Sequence, residues 1–476
     1  LGDSGDTIAL GSGASQTGFG RTGTVDWVTT PKVTGDSPIT AVTGKGYFLN
    51  TTAGTITINL PAGAAGSIVS MADYAGTWQT YNVTVAPNGS DKIGGDGFDA
   101  TLSTEGQSVT FVYVDAVQGW INTMDSTSNV RGVNPYIEAT VSGACNSLVT
   151  APDCANTKLA TFVNPGTFAV TNAALCAANN VVSYLVVAGG GSGGVGNGGG
   201  GGGGAGGLRE IKSPSATGYT ASPLDGYATP ANRITVSATP YPITVGGGAP
   251  GRPGASSGSP TNPGTGGSDS VFSTITSTGG GGGGGYAGAG PLQPYQNGLP
   301  GGSGGGAAKF SATGGSGNTP SVSPAQGKDG GNQTNPTGNA GAGGGGAGCQ
   351  GESISWPSNR GGNGGIGVSS SISAASVAYA GGGGSNAETG DAIGGTGGFH
   401  STGGTPSPET PATGSSPRTP GFGGGNGSSG NECSQTGVGN GGANTGGGGG
   451  GIDSPAPTIT SGAGGSGIVI IRYKFQ

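Results

Sequence analysis

Apolar segments that run directly into tracts of glycine are the feature that most limits how this chain can fold. Residues 181–188, VVSYLVVA, have the composition of a buried strand, and the tract that follows them to residue 207 is almost entirely glycine. Ordering a backbone costs about 1–2 kcal/mol per residue, and glycine loses the most freedom of all residues. The glycine tracts are therefore either flexible linkers or segments that order one another.

The combination of strand and glycine tract recurs in the second part of the chain, which favours order. Further copies are PYPITVGGG, VFSTITSTGGGGGGG and ASVAYAGGGG, and the chain closes on the strand SGIVIIRYKFQ. A flexible linker would hold glycine and serine without strands, and collagen would need glycine at every third position. We therefore predict packed polyglycine II helices with main-chain hydrogen bonds between tracts. In this form residues 189–207 would extend about 59 Å.

Glycine and charge divide the chain into two regions. Residues 183–476 hold 92 of the 115 glycines, whereas residues 1–182 carry 6 Lys and Arg against 13 Asp and Glu. Without a basic cluster we expect no nucleic-acid partner, and without an apolar run of about 18 residues we expect no membrane insertion. The composition predicts four parts: a stem or connector (1–24), a β-sandwich module (25–128), a second small β unit (129–182) and a glycine-rich domain (183–476).

Short alternating segments in the first region predict an all-β fold. Residues 55–60, TITINL, alternate polar and apolar residues, which is the period of a half-buried strand, and similar segments follow at turn-rich intervals. Their spacing predicts a small antiparallel β-sandwich. Three tryptophans are expected to anchor its core or an interface: Trp27, Trp78 and Trp120.

Candidate chemical sites are few. GGDGFDATL (94–102) resembles a calcium-binding repeat with Asp96 and Asp99 as ligands, but it occurs once, so a turn before a strand is the preferred interpretation. No metal or other cofactor is expected. The five cysteines include no CxxC pair. They allow a local bridge, a tie between glycine segments, or free thiols; the two pairs considered are Cys145–Cys154 and Cys349–Cys433.

Catalytic groups are also scarce, so we do not expect an enzyme. Hydrolysis of a glycan would need paired carboxylates, and covalent catalysis would need a nucleophile with its base. His400 is the only histidine and lies in a segment of low complexity. The many GxGxxG matches follow from the abundance of glycine and carry no strand–helix context for a dinucleotide.

Two groups of motifs resemble a known class of proteins. KGYFLNTTAGTITINLPAGAAGSIVSMADYAGTW and LSTEGQSVTFVYVDAVQGWI resemble a β module of tail-fibre and related structural proteins of marine bacteriophages. VSYLVVAGGG, FSTITSTGGGGGGGYAG and GGSGIVIIRY resemble the glycine-rich domain that ends many such fibres. The resemblance implies a homotrimeric virion tail fibre or adhesin, extracellular after release, with a glycine-rich tip. Its N-terminus would contact other tail proteins, and its tip would bind a host surface glycan or outer-membrane protein.

Three segments depart from plain glycine and are the candidate receptor-binding loops under this resemblance: PLQPYQNGLP, CQGESISWPSNR and FHSTGGTPSPETPATGSSPRTPGF. Large rings among small residues suit recognition of a carbohydrate or protein, but they can also fill gaps between glycine helices or subunits. Two other functions remain open: a non-receptor virion component, such as a capsid decoration or head fibre, and a bacterial surface or filament subunit. The candidate residues are Tyr286, Tyr295, Trp356, Phe399 and His400.

Overall fold

The computed structural model describes most of the chain, namely residues 25–126, 135–254, 262–286, 295–355, 360–387, 395–398, 423–428, 438–453 and 459–476. The chain divides into two compact units, Leu1–Val133 and Asn134–Gln476. The described residues form strands and three short 3₁₀ turns but no α-helix, which confirms the all-β prediction. None of them forms a helix long and apolar enough to cross a membrane. The stem expected over residues 1–24 lies outside this description.

The first unit consists of two sheets that share one apolar core. The five-stranded sheet has the order β1-β3-β5-β8-β9, and the four-stranded sheet has the order β2-β4-β6-β7. In chain order the strands are β1 (Asp26–Val33), β2 (Ile39–Thr40), β3 (Lys45–Asn50), β4 (Ile56–Asn59), β5 (Ile68–Asp73), β6 (Val83–Ala86), β7 (Ala100–Leu102), β8 (Ser108–Asp115) and β9 (Gly119–Ser126).

The expectation of an antiparallel sandwich is wrong for the first half of this unit. Strands β1 to β6 alternate between the two sheets, so strands that neighbour each other within a sheet run parallel. Each crossover between parallel strands is thus a strand of the opposite sheet. Antiparallel pairing begins only with β6–β7, β5–β8 and β8–β9.

Two of the three tryptophans lie in the core of the first unit. Trp78 and Trp120 are fully buried among the inward-facing residues of both sheets. Trp27 instead lies on the outer face of the five-stranded sheet, where it stacks on Phe48 with ring centroids 4.8 Å apart.

In the second unit, a six-stranded sheet is covered on both faces. Its path is β11-β12-β24-β14-β16, with β17 also paired to β14. One face packs on a five-stranded sheet, β10-β13-β18-β19-β20, and the other packs on the hairpin β21–β22. The strands are β10 (Glu138–Ser142), β11 (Ser147–Thr150), β12 (Thr157–Phe162), β13 (Gly166–Asn172), β14 (Val181–Val187), β16 (Leu208–Ile211), β17 (Ile234–Thr235), β18 (Pro240–Thr244), β19 (Ser270–Phe272), β20 (Ile275–Ser277), β21 (Val368–Ser370), β22 (Val377–Tyr379) and β24 (Ile468–Lys474).

This arrangement explains why β14 is apolar along nearly its whole length. A strand buried on both faces reads as a continuous apolar run rather than as an alternating one. Tyr184 and Val186 lie in the core toward the five-stranded sheet, and Leu185 and Val187 lie in the core on the opposite face. The strands that precede glycine tracts therefore form one foundation of stacked sheets.

The strands expected to form a separate small unit over residues 129–182 pair with strands of the glycine-rich part. β13 pairs with β18, and β12 pairs with β24, the last strand of the chain. The boundary between the two compact units accordingly lies at Val133 rather than at residue 182.

Candidate functional site: the far end of the glycine bundle

The glycine tracts leave the strands and pack as a bundle of extended segments. Residues 189–195 show the packing: their N–H groups donate to three different neighbours in rotation, returning to the same neighbour at every third residue. A three-residue period is that of polyglycine II. The donor–acceptor pairs, all 2.9–3.0 Å long, are Gly189, Ser192 and Val195 with Ser268, Thr265 and Asn262; Gly190 and Gly193 with Gly465 and Gly462; and Gly191 and Gly194 with Gly204 and Gly201.

The segment 200–207 lies inside the bundle. It donates N–H groups to three tracts and accepts them from three others, so that six neighbours surround it. The main-chain groups of this segment thus find their partners in other tracts, as the sequence predicted. The six neighbouring tracts are 189–194, 278–284, 303–306, 342–345, 383–386 and 446–449.

Glycine is required in these tracts because the backbones lie too close for a side chain. A Cβ on Gly203 would lie 2.2 Å from the carbonyl oxygen of Gly191, and a Cβ on Gly448 would lie 2.0 Å from that of Gly203. Real Cβ atoms do not approach main-chain oxygens this closely. Neither glycine has a positive φ, so the constraint comes from the neighbouring chain and not from local conformation.

The expected 59 Å extension of residues 189–207 is wrong, because the tract folds back on itself. Gly191 donates to Gly204 and Gly194 to Gly201, which makes the two arms antiparallel. The reversal uses Gly198 and Gly199, whose φ angles of 98° and 145° favour glycine. Asp453 supports the turn by accepting the N–H of Gly198 at 2.8 Å.

Tracts at the surface of the bundle replace some glycines with residues that accept hydrogen bonds through their side chains. Asn363 Oδ1 accepts the N–H and the hydroxyl of Thr396, both at 2.8 Å. Asn426 Oδ1 likewise accepts the N–H of Gly397 at 2.8 Å. At the edge of the bundle, where a neighbouring tract is missing, the amide oxygen of an asparagine side chain thus takes the place of a main-chain carbonyl as hydrogen-bond acceptor.

The bundle has two ends, and one of them is free of the stacked sheets. We call the end next to β14 the strand end and the end at Val195 the far end. Tyr286 donates its N–H to Val195, which places the end of the tract 279–286 there as well. The far end also contains a short parallel pair, β15 (Val195–Gly196) and β23 (Ile452–Asp453).

The described residues that flank six undescribed segments lie at the far end. Several contacts fix this position: Asn262 with Val195, Ile354 with Gln333, Ala340 with Ala387, and Ser428 with Asn386. The sequence predicted two of the six as parts of binding loops but gave no sign that the others share their end. The six segments are 255–261, 287–294, 356–359, 388–394, 429–437 and 454–458.

Of the candidate receptor-binding residues, Tyr295 has the exposure expected of a contact residue. It is 54% exposed, and its carbonyl accepts the N–H of Gly285. Trp356 lies outside the described residues, and Ile354, two residues before it, lies at the far end. Phe399 and His400 are also outside the description.

Tyr286 is buried, which corrects its assignment as an exposed ring. Only 5% of it is accessible, and it packs edge-to-face on Phe310 with centroids 5.0 Å apart. The ammonium of Lys309, itself buried, lies 4.7 Å from the centre of the Tyr286 ring. This small cation–π cluster fills a gap between tracts below the far end, which is the alternative role that the sequence left open.

The three candidate loops do not share one end of the bundle. Gly398 and Gly423, which flank the segment 399–422, lie next to Gly381 and Gly382, just beyond β22 at the strand end. Each of the other two candidate loops has residues toward both ends. Tyr295 lies beside Gly285 at the far end, but Gly301, which follows that loop, lies beside Gly279 near the strand end. The other loop begins at Cys349, which donates its N–H to Ile366 just before β21. Sequence order could not reveal this, since it depends on which way each tract runs.

Asp96 and Asp99, the residues of the calcium-like motif, lie before β7. Both are exposed, and Asp96 forms a tight turn in which its main chain pairs with that of Ile93 before β7. Within the described parts of the chain, no three His, Cys, Asp or Glu residues are grouped as metal ligands. Cys145 and Cys154 are free thiols, so the local bridge is not formed; Cys433 lies outside the described residues.

Ionisable groups with perturbed pKa values lie at the strand end. Burial raises the pKa of Glu210 despite hydrogen bonds from the Ser222 N–H at 2.8 Å and the Ser370 hydroxyl at 2.6 Å. Burial also raises the pKa of Tyr379 to about 12. Arg472, fully buried in β24, pairs with Asp153 at 2.7 Å. Glu210 thus connects β16 to β21 and to the loop at Ser222, and Arg472 connects β24 to the loop at Asp153, so their positions are those of structural ties.

At the far end, the described side chains offer contact chemistry. Arg360 and Glu352 form an ion pair whose side chains are 34% and 31% exposed, and Glu352 also accepts the N–H of Asn363 at 2.9 Å. An exposed ring, amide groups and a neutralised charge pair suit the recognition of a polar surface.

Comparison with known protein families gives a match that lies within the second unit. A family model described as a glycine-rich domain matches residues 163–474, which is more than half of the chain. The match begins just before β13 and ends with the last residue of β24, so it contains both the foundation strands and the bundle. No curated protein matches the sequence.

Proposed function

Since the chain belongs to the glycine-rich domain family, we propose that it is a non-enzymatic fibre or adhesin protein whose glycine bundle presents recognition loops. One observation carries this proposal: the residues that flank six segments of non-repetitive sequence lie together at the end of the bundle away from the stacked sheets. Main-chain hydrogen bonds in several directions make the bundle a rigid support. Variable loops on a rigid scaffold are a common design for binding.

The resemblance of both regions to tail-fibre proteins of marine bacteriophages supports a place on a virion. In that setting the far end attaches to a host surface glycan or outer-membrane protein, and the N-terminal part joins other tail proteins. Copies of the chain associate as a homotrimer. Labelling of purified particles checks the location: label at the tail tip is expected, and label spread over the capsid would contradict a receptor-binding role.

Binding to the receptor can be tested with the full chain on an array of bacterial surface glycans and on a panel of marine bacterial isolates. We expect Tyr295→Ala to weaken binding by at least about tenfold, because an exposed ring at a contact loses most of its buried area on truncation. Tyr74→Ala is a matched control, since Tyr74 is 56% exposed and lies in the first unit.

Two results would overturn the proposal. One is a folded wild-type chain that binds no glycan and no isolate. The other is binding that falls equally in both tyrosine variants, because the far end would then have no special part in it.

A further inference from the structure

One arginine near the far end has no partner for its charge. Arg252 lies in the tract after β18, and among the arginines that the structure describes it is the one whose guanidinium forms neither a hydrogen bond nor an ion pair. Its Nε is buried without an acceptor, although the residue is partly exposed. A buried N–H without an acceptor costs free energy, and a ligand that supplies an acceptor removes this cost. The other described arginines each donate to an oxygen; they are Arg209, Arg233, Arg360 and Arg472.

The main chain holds Arg252 in place against two other tracts. Its N–H donates to the Ser461 hydroxyl at 2.9 Å, and that hydroxyl donates to the Gly193 carbonyl at 2.7 Å. The carbonyl of the next residue, Pro253, accepts a hydrogen bond from the side-chain amide of Asn262 at 2.8 Å. Because Asn262 lies at the far end, Arg252 lies there as well.

The sequence around Arg252 contains no carboxylate. Asp453 precedes one of the neighbouring tracts, but it is fully buried and accepts the N–H of Gly198. The positive charge of Arg252 is therefore not neutralised by the sequence around it. The stretches that contain its neighbours, and the stretch next to these, are free of Asp and Glu; they are residues 189–197, 246–268, 454–467 and 279–300.

We propose that Arg252 binds an anionic group, a carboxylate or a phosphate, of an acidic glycan on the host surface. A guanidinium offers parallel N–H donors that match two oxygens of either group, and such charge-assisted hydrogen bonds are stronger than neutral ones. Tyr295 lies on the same side of the far end, because Gly285 donates to its carbonyl and packs against Asn262. An exposed ring and a guanidinium on one side suit a charged sugar. The inference rests on the proposed adhesin role and names the class of receptor.

Binding of the full chain to an array of acidic and neutral bacterial glycans tests the assignment. We expect the bound glycans to carry carboxylates or phosphates, and Arg252→Gln to weaken their binding by at least about tenfold. Arg252→Lys is expected to bind with intermediate strength, because it keeps the charge but loses the paired donors. Lys328→Gln is the matched control, since it removes the same charge from an exposed residue near the strand end. Urea unfolding of each variant checks that it remains folded.

Chemical treatment of the bound glycan identifies the anion. Amidation of the carboxylates is expected to abolish binding if the ligand is a uronic acid, and removal of phosphate with hydrofluoric acid is expected to abolish it if the ligand is a phosphate. Loss of binding after either treatment supports the inference, and binding retained after both would overturn it.

The remaining outcomes separate this inference from the proposed function. Preference for neutral glycans, equal binding by wild type and Arg252→Gln, or equal weakening in Arg252→Gln and Lys328→Gln would overturn the role of Arg252. Binding of bacterial isolates without binding of any glycan would also overturn it, in favour of a protein receptor. In each of these cases receptor binding at the far end stands if Tyr295→Ala still weakens binding. A folded wild type that binds neither glycans nor isolates would overturn the proposed function itself.

Discussion

At the scale of the residue, the absence of a side chain is what makes the bundle possible. Glycine usually marks places where the backbone needs a positive φ, and here that applies at the Gly198–Gly199 reversal and at Gly446, where the tract 446–449 begins. Elsewhere in the tracts the demand is spatial, because carbonyl oxygens of neighbouring tracts occupy the positions that Cβ atoms would take. The entropic cost of glycine is thus offset by hydrogen bonds that no other residue would allow.

A pair of substitutions separates these two roles of glycine. Gly203→Ala places a methyl group 2.2 Å from the Gly191 oxygen, and we expect it to lower the free energy of unfolding by about 3 kcal/mol or more. Gly247→Ala meets no atom within 4 Å and has an ordinary φ, so we expect no loss and a gain of up to about 1 kcal/mol. Urea unfolding of both variants measures the difference. Equal stability of the two would contradict close packing of the tracts.

The sequence predicted tract packing better than it predicted individual site residues. Uninterrupted glycine after an apolar strand leaves few alternatives, and the pairing of the tracts is confirmed. The prediction that Tyr286 is exposed was wrong. In a sequence, a ring among small residues is equally compatible with a surface position and with a position that fills a gap between tracts. Asn363 and Asn426 could have been found as tract-edge residues, since they interrupt glycine in the segments RGGNGGIG and GGGNGS.

At the scale of the element, chain order is a poor guide to strand neighbours. β24 is the last strand of the chain but lies between β12 and β14 in the six-stranded sheet. In the first unit, the alternating pattern of TITINL correctly predicted a half-buried strand, yet a period of two says which face is buried and not which strand lies alongside. Neighbouring strands from β1 to β6 run parallel because successive strands alternate between the two sheets. This alternation leaves no signal in the local sequence.

Glu210 connects elements of the second unit, and its contribution to stability depends on pH. It lies on β16, and its carboxyl group accepts hydrogen bonds from Ser222 and from Ser370 on β21. Because burial raises its pKa above the ordinary 4.5, the folded chain holds this proton more tightly than the unfolded chain. The stabilisation is therefore complete below pH 4.5 and is lost as pH rises toward the pKa of the folded state.

Glu210→Gln should remove this dependence while keeping an acceptor for Ser222. We expect the difference in unfolding free energy between wild type and variant to change by at most about 1.4 kcal/mol per pH unit, in favour of the variant as pH rises above 4.5. Urea unfolding from about pH 4 to about pH 8 measures it. A difference that stays constant over this range would show that Glu210 does not titrate differently in the folded chain.

At the scale of the whole molecule, the second unit has two kinds of order, one in the stacked sheets and one in the glycine bundle. Stacked sheets with apolar cores fix where each tract begins, and the bundle beyond them is fixed by main-chain hydrogen bonds with few apolar side chains. At its far end the main cluster of apolar residues is small and consists mostly of alanine. The proposed adhesin role depends on this second kind of order, because loops on a flexible coil would have no defined surface.

Hydrogen–deuterium exchange of the glycine amides in residues 200–207 and 279–285 is the most direct test of the account. The amides of 201–207, 280, 281 and 283–285 donate to main-chain oxygens of neighbouring tracts, so for them we predict exchange as slow as that of the strands β14 and β24. Exchange of both segments at the rate of an unstructured peptide, with β14 and β24 still protected, would show that the tracts are not paired and would contradict the rigid bundle.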